Sequence, residues 1–329
     1  MEKVFLTGPD GMLGSSICRE LLKQGYDVRA LCLPDRKNKN IRGLPVEYVT
    51  GNILDSEKLE RVMKGCQVVV HCAARVSVWP RRDPLINLVN IDGTRNVMRA
   101  AENTGVQKMI HIGSASSFGF GSMEHPGDEN SVYNGWTYGM DYLDSKYFAQ
   151  KLLLERHRET GFPVVIIAPT YMIGPYDSAP SSGKVLISLY NGSMKYFGKG
   201  GKNFVCSTDV ARATVNAIWK GRTGECYISG NQNLSYGEFF SRAFGILGME
   251  KGLQKAPDIL VLGAGLVSSV MARIGGIPPK FSYGMARISQ AEQYFSPAKA
   301  RLELGMPQTP IDDGIRQCFQ WFRENQYIA

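Results

Sequence analysis

The sequence lacks the patterns of several large classes of protein. Its seven cysteines are scattered, odd in number and without a C-x-x-C pair, so we expect reduced thiols rather than a disulfide framework or a zinc site. The longest apolar run, residues 259–272, is too short to span a bilayer, which needs about 20 residues. The first apolar run begins at Lys3, which leaves no room for a signal peptide. These absences predict a cytoplasmic protein.

Motifs for other chemistry are also missing. The sequence contains neither a P-loop nor a G-x-S-x-G nucleophile elbow. Its four histidines show no metal-ligand spacing, and His71 and His111 lie inside apolar runs, where a core histidine is the commoner occupant. The sequence therefore gives no support to a bound metal or to P-loop or nucleophile-elbow chemistry.

Charge and size suggest an ordinary globular protein with a small-molecule substrate. The formal net charge is +8, but the basic residues form small groups without a continuous stripe or a nucleic-acid recognition motif. A solvated surface is the simpler interpretation, and we expect no nucleic-acid partner. With 329 residues the chain can bury a large core, as one big domain or two interleaved lobes.

Short apolar runs rich in Val and Ile alternate with helical patterns in the first half of the chain. The runs show no polar alternation, as expected of strands buried on both faces of a parallel sheet. The pattern predicts an α/β fold, a Rossmann-type doubly wound parallel sheet with a smaller, mostly helical C-terminal lobe. The predicted strands are residues 4–7, 28–31, 46–49, 68–72, 108–113, 164–169 and 226–229, and the predicted helices are 13–24, 56–63, 87–104, 142–160 and 209–219.

Two domains are predicted from the same pattern. Residues 1–172 and about 207–232 are assigned to a dinucleotide-binding Rossmann domain. Residues 173–206 and 233–329 are assigned to a substrate-binding lobe, because the sequence becomes rich in loops after Gly174-Pro175 and then mostly helical.

A glycine turn follows the first apolar run and opens an amphipathic helix. Its sequence is Thr7-Gly8-Pro9-Asp10-Gly11-Met12-Leu13-Gly14, with the spacing G-x-x-G-x-x-G rather than the usual G-x-G-x-x-G. The glycines let the backbone turn sharply, approach a pyrophosphate and pack the helix against the strand. The N–H groups at the helix start, with the positive end of its dipole, suit phosphate. We predict that Gly8, Gly11, Met12, Leu13 and Gly14 bind a dinucleotide.

The residues after the second strand should read the adenosine ribose. Asp35 can accept hydrogen bonds from a ribose diol, which favours NAD, whereas Arg36 with Lys37 or Lys39 can hold a 2′-phosphate, which favours NADP. Leu33, directly after the strand, does neither. Because cations outnumber the one carboxylate, we favour NADP, with Arg36 as the binding residue, and NAD stays open.

Tyr142 and Lys146 lie one helical turn apart and share a face. A nearby ammonium favours the phenolate, so Lys146 is expected to lower the pKa of Tyr142 and to hydrogen-bond the nicotinamide ribose. Ser114 ends a central strand, where its hydroxyl can bind a substrate carbonyl oxygen. Tyr147 and Lys151 form a rival pair, but Tyr142 directly follows an irregular loop and therefore lies at the helix start, near the strand ends.

Together these motifs make the chain resemble the extended short-chain dehydrogenase/reductase family over nearly its whole length. The matching segments are the glycine turn, Gly51-Asn52-Ile53-Leu54-Asp55, His71-Cys72-Ala73-Ala74, Asn90-Ile91-Asp92-Gly93-Thr94, Gly113-Ser114-Ala115-Ser116, Tyr142-Leu143-Asp144-Ser145-Lys146, Pro169-Thr170-Tyr171-Met172-Ile173-Gly174-Pro175 and Ser207-Thr208-Asp209-Val210-Ala211-Arg212-Ala213.

The resemblance implies site residues beyond the glycine turn. Ser114, Tyr142 and Lys146 would form the catalytic triad. Further cofactor contacts would come from Asn52 and Ile53 near adenine, Ala73 and Ala74 along the ribose and pyrophosphate, and Pro169 and Met172 near the nicotinamide. Asn52 stands where the family usually has aspartate, although its amide can still pair with adenine.

Within the family the chain is most similar to the dihydroflavonol-reductase and 3β-hydroxysteroid-dehydrogenase branch. Ala168 and Tyr171 stand where sugar-nucleotide epimerases and dehydratases usually have arginine and asparagine. This difference favours an NAD(P)-dependent oxidoreductase acting on an apolar carbonyl or alcohol. An epimerase or dehydratase, and a cofactor-sensing protein without turnover, are the alternatives.

The substrate pocket and the partners are predicted from position in the sequence. Segments following the fourth and sixth strands should line the mouth of the site, with Val78, Trp79, Ser116 and Tyr171 as substrate residues. Residues 259–272 are expected to pack over this site. Contact with a membrane surface is the less favoured interpretation, because glycines and serines interrupt the run and no basic face flanks it. A homodimer is left open.

Overall fold

The computed structural model describes residues 2–34, 38–249, 252–279 and 281–328. Within them the strands are β1 (Lys3–Thr7), β2 (Asp27–Cys32), β3 (Glu47–Thr50), β4 (Val68–His71), β5 (Lys108–Ile112), β6 (Val164–Pro169), β7 (Tyr171–Ile173), β8 (Tyr196–Phe197), β9 (Gly201–Cys206), β10 (Cys226–Ser229), β11 (Gln232–Ser235), β12 (Gln254–Lys255) and β13 (Glu292–Gln293).

The helices of the same residues alternate with the strands through the first half of the chain. They are α1 (Met12–Lys23), α2 (Ser56–Met63), α3 (Pro84–Asn87), α4 (Gly93–Asn103), α5 (Asp141–Thr160), α6 (Lys184–Tyr190), α7 (Ser207–Lys220), α8 (Tyr236–Leu247), α9 (Asp258–Gly275), α10 (Tyr283–Ile288), α11 (Ala298–Leu304) and α12 (Ile311–Glu324). A π-helical turn, Leu88–Asp92, joins α3 to α4, so the predicted helix at 87–104 begins earlier than expected.

Seven parallel strands form the main sheet in the order β10-β6-β5-β4-β1-β2-β3. The predicted α/β fold with a Rossmann-type sheet is confirmed. Runs such as β6 and β4 are buried at every position, because helices cover both faces of the sheet. The strand β3 is largely exposed, since it lies at the edge of the sheet.

The strand order reverses between β1 and β4, which are neighbours in the sheet. The chain leaves β1 toward β2 on one side and leaves β4 toward β5 on the other. The loops after these strands therefore separate at their carboxyl ends and open a crevice, the usual ligand position in such sheets. The glycine turn, Ala73 and Ser114 all follow strands at this edge.

The second lobe contains more strand than the sequence predicted. Strands β11, β9 and β13 form a sheet on which β7 also pairs, and β12 pairs with β8. Helices α6, α8 and α12 pack on it through a core that includes Phe204, Phe239 and Phe322. The expectation of a mostly helical lobe was too simple, because strands such as β8, β12 and β13 have only two residues, too few to show a periodicity.

The apolar run at 259–272 forms the outer helix α9 rather than a covered one. Among the described residues, α9 is the one helix that is long and apolar enough to cross a bilayer by length and composition alone. Only 22% of this segment is buried within the protein. Its buried side packs on α10.

Candidate active site

The glycine turn between β1 and α1 is shaped by close backbone contacts. Gly8 has a φ of +66°, and a Cβ there would lie 2.7 Å from the backbone N and Cα of Ala73. A Cβ on Gly14 would lie 2.0 Å from the Gly8 carbonyl oxygen. At Gly11 the nearest atom to an added Cβ is that same oxygen, at an ordinary 3.8 Å. The folded backbone therefore requires glycine at positions 8 and 14, whereas a Cβ at position 11 would make only an ordinary contact.

The start of α1 is suited to a phosphate. Gly11 is the N-cap and is exposed, so no side chain caps the first turn of the helix. Met12 is half-buried and Leu13 is buried in the core, so both can offer only backbone N–H groups at this point. The predicted cofactor residues of the turn thus form a cradle of backbone donors that fits a pyrophosphate.

The residues predicted to bind the adenosine half of the cofactor give a mixed result. Arg36, with Asp35 and Lys37, lies outside the described residues. Asn52 is exposed after β3, and its Oδ1 accepts a hydrogen bond from Leu54 N at 3.0 Å. Ile53 is buried against Gly93, where an added Cβ would lie 2.6 Å from the Ile53 side chain. Asn52 is thus open to a ligand, whereas Ile53 packs under α4.

Lys146 connects the catalytic helix to the central strand. It lies on α5 and is 6% exposed, and its Nζ donates to the carbonyl oxygen of Ile112, the last residue of β5, at 3.0 Å. Ser114 follows two residues later, and its Oγ lies 2.7 Å from Ser116 Oγ. Tyr142, the second residue of α5, is half-buried one turn before Lys146. The structure therefore brings Lys146 to the end of β5, two residues before Ser114, with Tyr142 one turn earlier on the same helix.

Burial controls the charges at this site. It lowers the pKa of Lys146 to about 8, so this ammonium is costly but still present at neutral pH. Burial raises the pKa of Tyr142 above its usual value. The expected net lowering of the pKa of Tyr142 is therefore wrong for this structure, because the loss of hydration, which favours the neutral phenol, is the dominant effect. A neutral Tyr142 can donate a proton at neutral pH.

The rival pair faces away from the site. Tyr147 stacks on Tyr133 with ring centroids 4.4 Å apart, and Tyr133 donates to Asp144 at 2.7 Å. Lys151 is exposed and lies 3.8 Å from Glu155 in a surface ion pair. These contacts make Tyr147 a packing residue and Lys151 a surface residue.

The sequence analysis missed a network that fixes the start of α5. Asn90, in the π-helical turn, accepts from Arg75 N at 2.8 Å and donates to Ser145 Oγ at 3.0 Å. Asp141 accepts from Arg82 Nη1 at 2.6 Å and from the backbone N–H of Asp83. The network holds the segment after β4 against the first turn of α5. Asn90 belongs to a quoted family motif, but nothing in the sequence showed its partners.

His71 links the glycine turn to this network. Thr7 Oγ1 accepts from the backbone N–H groups of Cys72 and Ala73, so its own proton points to His71 Nδ1, 2.8 Å away. The other ring nitrogen then donates to Thr94 Oγ1 at 3.0 Å, and Thr94 donates to the carbonyl oxygen of Asn90 at 2.7 Å. Burial lowers the pKa of His71 to about 3, so the ring is neutral. It is a buried histidine, as predicted, but a fully bonded one.

We expect His71→Phe to lower the free energy of unfolding by about 1–3 kcal/mol, because the buried Thr7 hydroxyl loses its acceptor. Folded His71 stays neutral down to a pH of about 3, whereas unfolded histidine takes up a proton below about 6.5. Acidification between these values therefore destabilises the wild type, and less so the variant. Urea unfolding at pH 7 and pH 5 measures both effects. Exposed His125→Phe is the control, and equal acid sensitivity in wild type and His71→Phe would contradict the assignment.

The remaining predicted residues are half-buried or buried in the structure. Ala73 contacts the glycine turn, and Ala74 follows it half-buried. Pro169 is buried at the end of β6, and Met172 packs against the main core. Val78, Trp79 and Ser116 are half-buried.

Tyr171 is more firmly tied to the second lobe than the sequence suggested. Its hydroxyl donates to the carbonyl oxygen of Ser182 at 3.0 Å, and its ring packs edge-on to Phe204 at 5.5 Å. Lys202 Nζ lies 5.1 Å from the centre of the same ring. Packing within the second lobe therefore accounts for the position of the Tyr171 side chain.

The amino-acid sequence matches a family model and several known proteins. The family model described as "NAD dependent epimerase/dehydratase family" matches residues 4–230. The chain is 30% identical to the Synechocystis sp. protein named "Putative dihydroflavonol 4-reductase", over 98% of this chain and 95% of the relative. It is 28% identical to "Sterol demethylase protein B" of Methylococcus capsulatus, over 98% of this chain and 99% of the relative.

Solved structures share the whole fold. The crystal structure of gox2253 superposes with a TM-score of 0.88 at 30% identity and covers 100% of both chains. A nucleoside-diphosphate-sugar epimerase from Pseudomonas aeruginosa, PA4631, superposes with a TM-score of 0.81 at 24% identity, over 100% of this chain and 99% of the other. The second likeness shows the fold alone. With its glycine cradle, its Rossmann sheet and a family match over most of its length, the chain belongs to the NAD dependent epimerase/dehydratase family, the extended short-chain dehydrogenases/reductases, and is an NAD(P)-dependent enzyme.

Proposed function

We propose that this protein is an NAD(P)-dependent oxidoreductase that interconverts an apolar ketone or aldehyde and the corresponding alcohol. The observation that carries the proposal is the bond from Lys146 Nζ to the carbonyl oxygen of Ile112, which brings the start of α5 to the strand end before Ser114. The glycine cradle lies at the same edge of the sheet. The relatives named as a dihydroflavonol reductase and a sterol demethylase protein support an apolar substrate.

The bound cofactor supplies or accepts the hydride. In the reductive direction Tyr142, neutral because of its burial, donates its phenolic proton to the carbonyl oxygen of the substrate. The Ser114 hydroxyl binds the same oxygen and stabilises negative charge as it develops. The Lys146 ammonium stabilises the phenolate that remains and orients the nicotinamide ribose.

The side chains at two positions, Ala168 and Tyr171, support an apolar substrate rather than a sugar nucleotide. Ala168 is fully buried in β6 and offers no side-chain hydrogen bond. The Tyr171 hydroxyl is engaged by Ser182, so this position has a ring rather than an amide to offer. Apolar walls stabilise an apolar ligand by roughly 25 cal/mol per Å² buried, but leave the polar groups of a diphosphate or sugar without partners.

The direct test is a panel of aromatic, alicyclic and long-chain ketones and aldehydes. Reduction of each compound is measured as the loss of absorbance that accompanies oxidation of NADPH or NADH. We expect at least one apolar carbonyl compound to be reduced and UDP- or dTDP-sugars to bind weakly. Micromolar binding of a nucleotide sugar by calorimetry, with an epimer or keto-sugar formed on incubation, would overturn the proposal in favour of an epimerase or dehydratase.

For the cofactor we propose a preference for NADP, carried by Arg36. A guanidinium can pair bidentately with a 2′-phosphate, so NADPH should bind more tightly than NADH, and Arg36→Ala should remove most of the difference. Tryptophan fluorescence titration with each cofactor measures both affinities. Tighter binding of NADH by the wild type would instead indicate that Asp35 reads the ribose.

A further inference from the structure

Helix α9 turns its large apolar side chains away from the protein. Ile259 and Ile274 are 82% and 84% exposed, and Ile277 just beyond the helix is 74% exposed. At 100° per residue, the exposed positions fall on one continuous arc. Apart from Arg273 at its edge, the arc contains no charged or hydroxyl side chain; it consists of Ile259, Leu260, Gly263, Ala264, Leu266, Val267, Val270, Met271, Ile274 and Gly275.

The opposite face of α9 holds small and polar residues together with Val261 and Leu262. Ser269 is buried, and its Oγ accepts from the backbone N–H of Tyr283 at 2.8 Å. A Cβ on Gly265 would lie 2.6 Å from the Ala286 side chain, so α9 and α10 pack closely there. Most of the large apolar side chains of α9 thus face outward, whereas the apolar stripe of a surface helix in a globular protein faces the core.

The pair of α9 and α10 is attached at the edge of the protein. Its buried residues Ala256, Val261 and Ala286 form a small cluster with Leu262 and Phe281, separate from the three larger cores. The outer face therefore does not complete any of those cores. Contiguous exposed apolar surface of this kind marks an interaction site.

The charges around α9 suit an anionic surface. From Lys251 to Arg287 the sequence has five Lys and Arg residues and one acidic residue, Asp258. The Asp258 carboxylate is paired with Lys199 Nζ at 2.6 Å. Lys255 and Arg273 are exposed near the two ends of the apolar arc. A basic border around an apolar helix face is the pattern of helices that lie in the headgroup region of anionic bilayers.

We propose that α9 docks this protein on the surface of an anionic lipid bilayer, with the helix axis parallel to the membrane and the arc from Ile259 to Ile274 in the acyl–headgroup boundary. The helix lies on the bilayer rather than crossing it, because its other face stays packed on α10. From the sequence alone, we favour a helix packed over the substrate site. The outward arc is the reason for preferring the membrane.

Docking would also place the active site near lipid. Arg287 of α10 donates to the carbonyl oxygen of Thr137 at 3.1 Å, and Thr137 belongs to the loop that precedes Tyr142. An apolar substrate dissolved in the bilayer would then be close to the site. This step rests on the proposed function, whereas docking itself does not.

The test is co-sedimentation of the full chain with phosphatidylcholine vesicles and with vesicles that also contain phosphatidylglycerol. We expect the wild type to bind the anionic vesicles more tightly. Ile274→Asp and Ile259→Asp should each weaken binding by about tenfold or more, because a buried apolar side chain is replaced by a charged one. Leu302→Asp, at a position 86% exposed on α11, is the matched control and should bind like the wild type.

Three outcomes would overturn the proposal. The wild type could fail to bind either vesicle, or Leu302→Asp could lose binding as much as Ile274→Asp does. In the third, the wild type does not bind vesicles, and sedimentation velocity shows that it is a dimer which Ile274→Asp dissociates. The exposed face of α9 would then be a subunit interface. Because these side chains are exposed, thermal unfolding should be unchanged in every variant. A second measurement, a blue shift of Met271→Trp fluorescence on adding anionic vesicles, reports burial of the arc directly.

Discussion

Tyr142→Phe is expected to lower kcat by about 100-fold or more while cofactor affinity stays close to that of the wild type. The substitution removes the hydroxyl group that we propose as the proton donor and keeps the ring. Burial favours the neutral phenol in the free protein, so the wild type holds this proton at neutral pH. Steady-state kinetics with the best carbonyl substrate, together with cofactor titration, separates the two effects.

Tyr147→Phe is the matched control for this result. Its ring stacks on Tyr133 at 4.4 Å, and phenylalanine preserves that stacking. We therefore expect kcat within about twofold of the wild type, since no transition-state contact is lost. Similar activity in the two variants, or a larger loss in Tyr147→Phe, would show that Tyr142 is not the proton donor.

Gly14→Ala is expected to abolish measurable binding of NADPH and NADH. Its methyl group would lie 2.0 Å from the Gly8 carbonyl oxygen and 3.1 Å from Pro9 Cα, both backbone atoms that cannot rotate away. The turn must open, which we expect to cost about 1–3 kcal/mol of stability and to misplace the donors of α1. Thermal unfolding and fluorescence titration measure the two losses.

Gly11→Ala separates cofactor contact from protein strain. The nearest atom to its methyl group is 3.8 Å away and its φ is −75°, so the folded protein accepts alanine without adjustment. Stability should be unchanged, whereas cofactor binding should weaken by about tenfold or more if the pyrophosphate lies against this backbone. Gly245→Ala, which has nothing within 4 Å on α8, should leave cofactor binding unchanged. Normal binding by Gly11→Ala would place the pyrophosphate elsewhere.

The sequence by itself determined the alternation of strands and helices in the main sheet and the position of the glycine turn. Both are local patterns. A run of Val and Ile buried on two faces has no polar alternation, and a turn between strand and helix needs glycine wherever the backbone is crowded. For this reason Gly8 and Gly14, which were chosen from spacing alone, prove to be positions where a Cβ would collide with backbone.

Only the tertiary structure decided which Tyr/Lys pair meets the strand ends and what supports it. Lys146 reaches a carbonyl 34 residues away, and Thr7 meets a ring 64 residues away. The same dependence on distant contacts explains why the direction of the Tyr142 pKa shift was wrong, since burial is a property of the assembled core. It also explains why the sequence alone does not show which face of α9 is exposed. That orientation follows from the packing of Gly265 and Ser269 on α10. Local periodicity specifies the elements, but the free energy of burial that orients them depends on residues far apart in the chain.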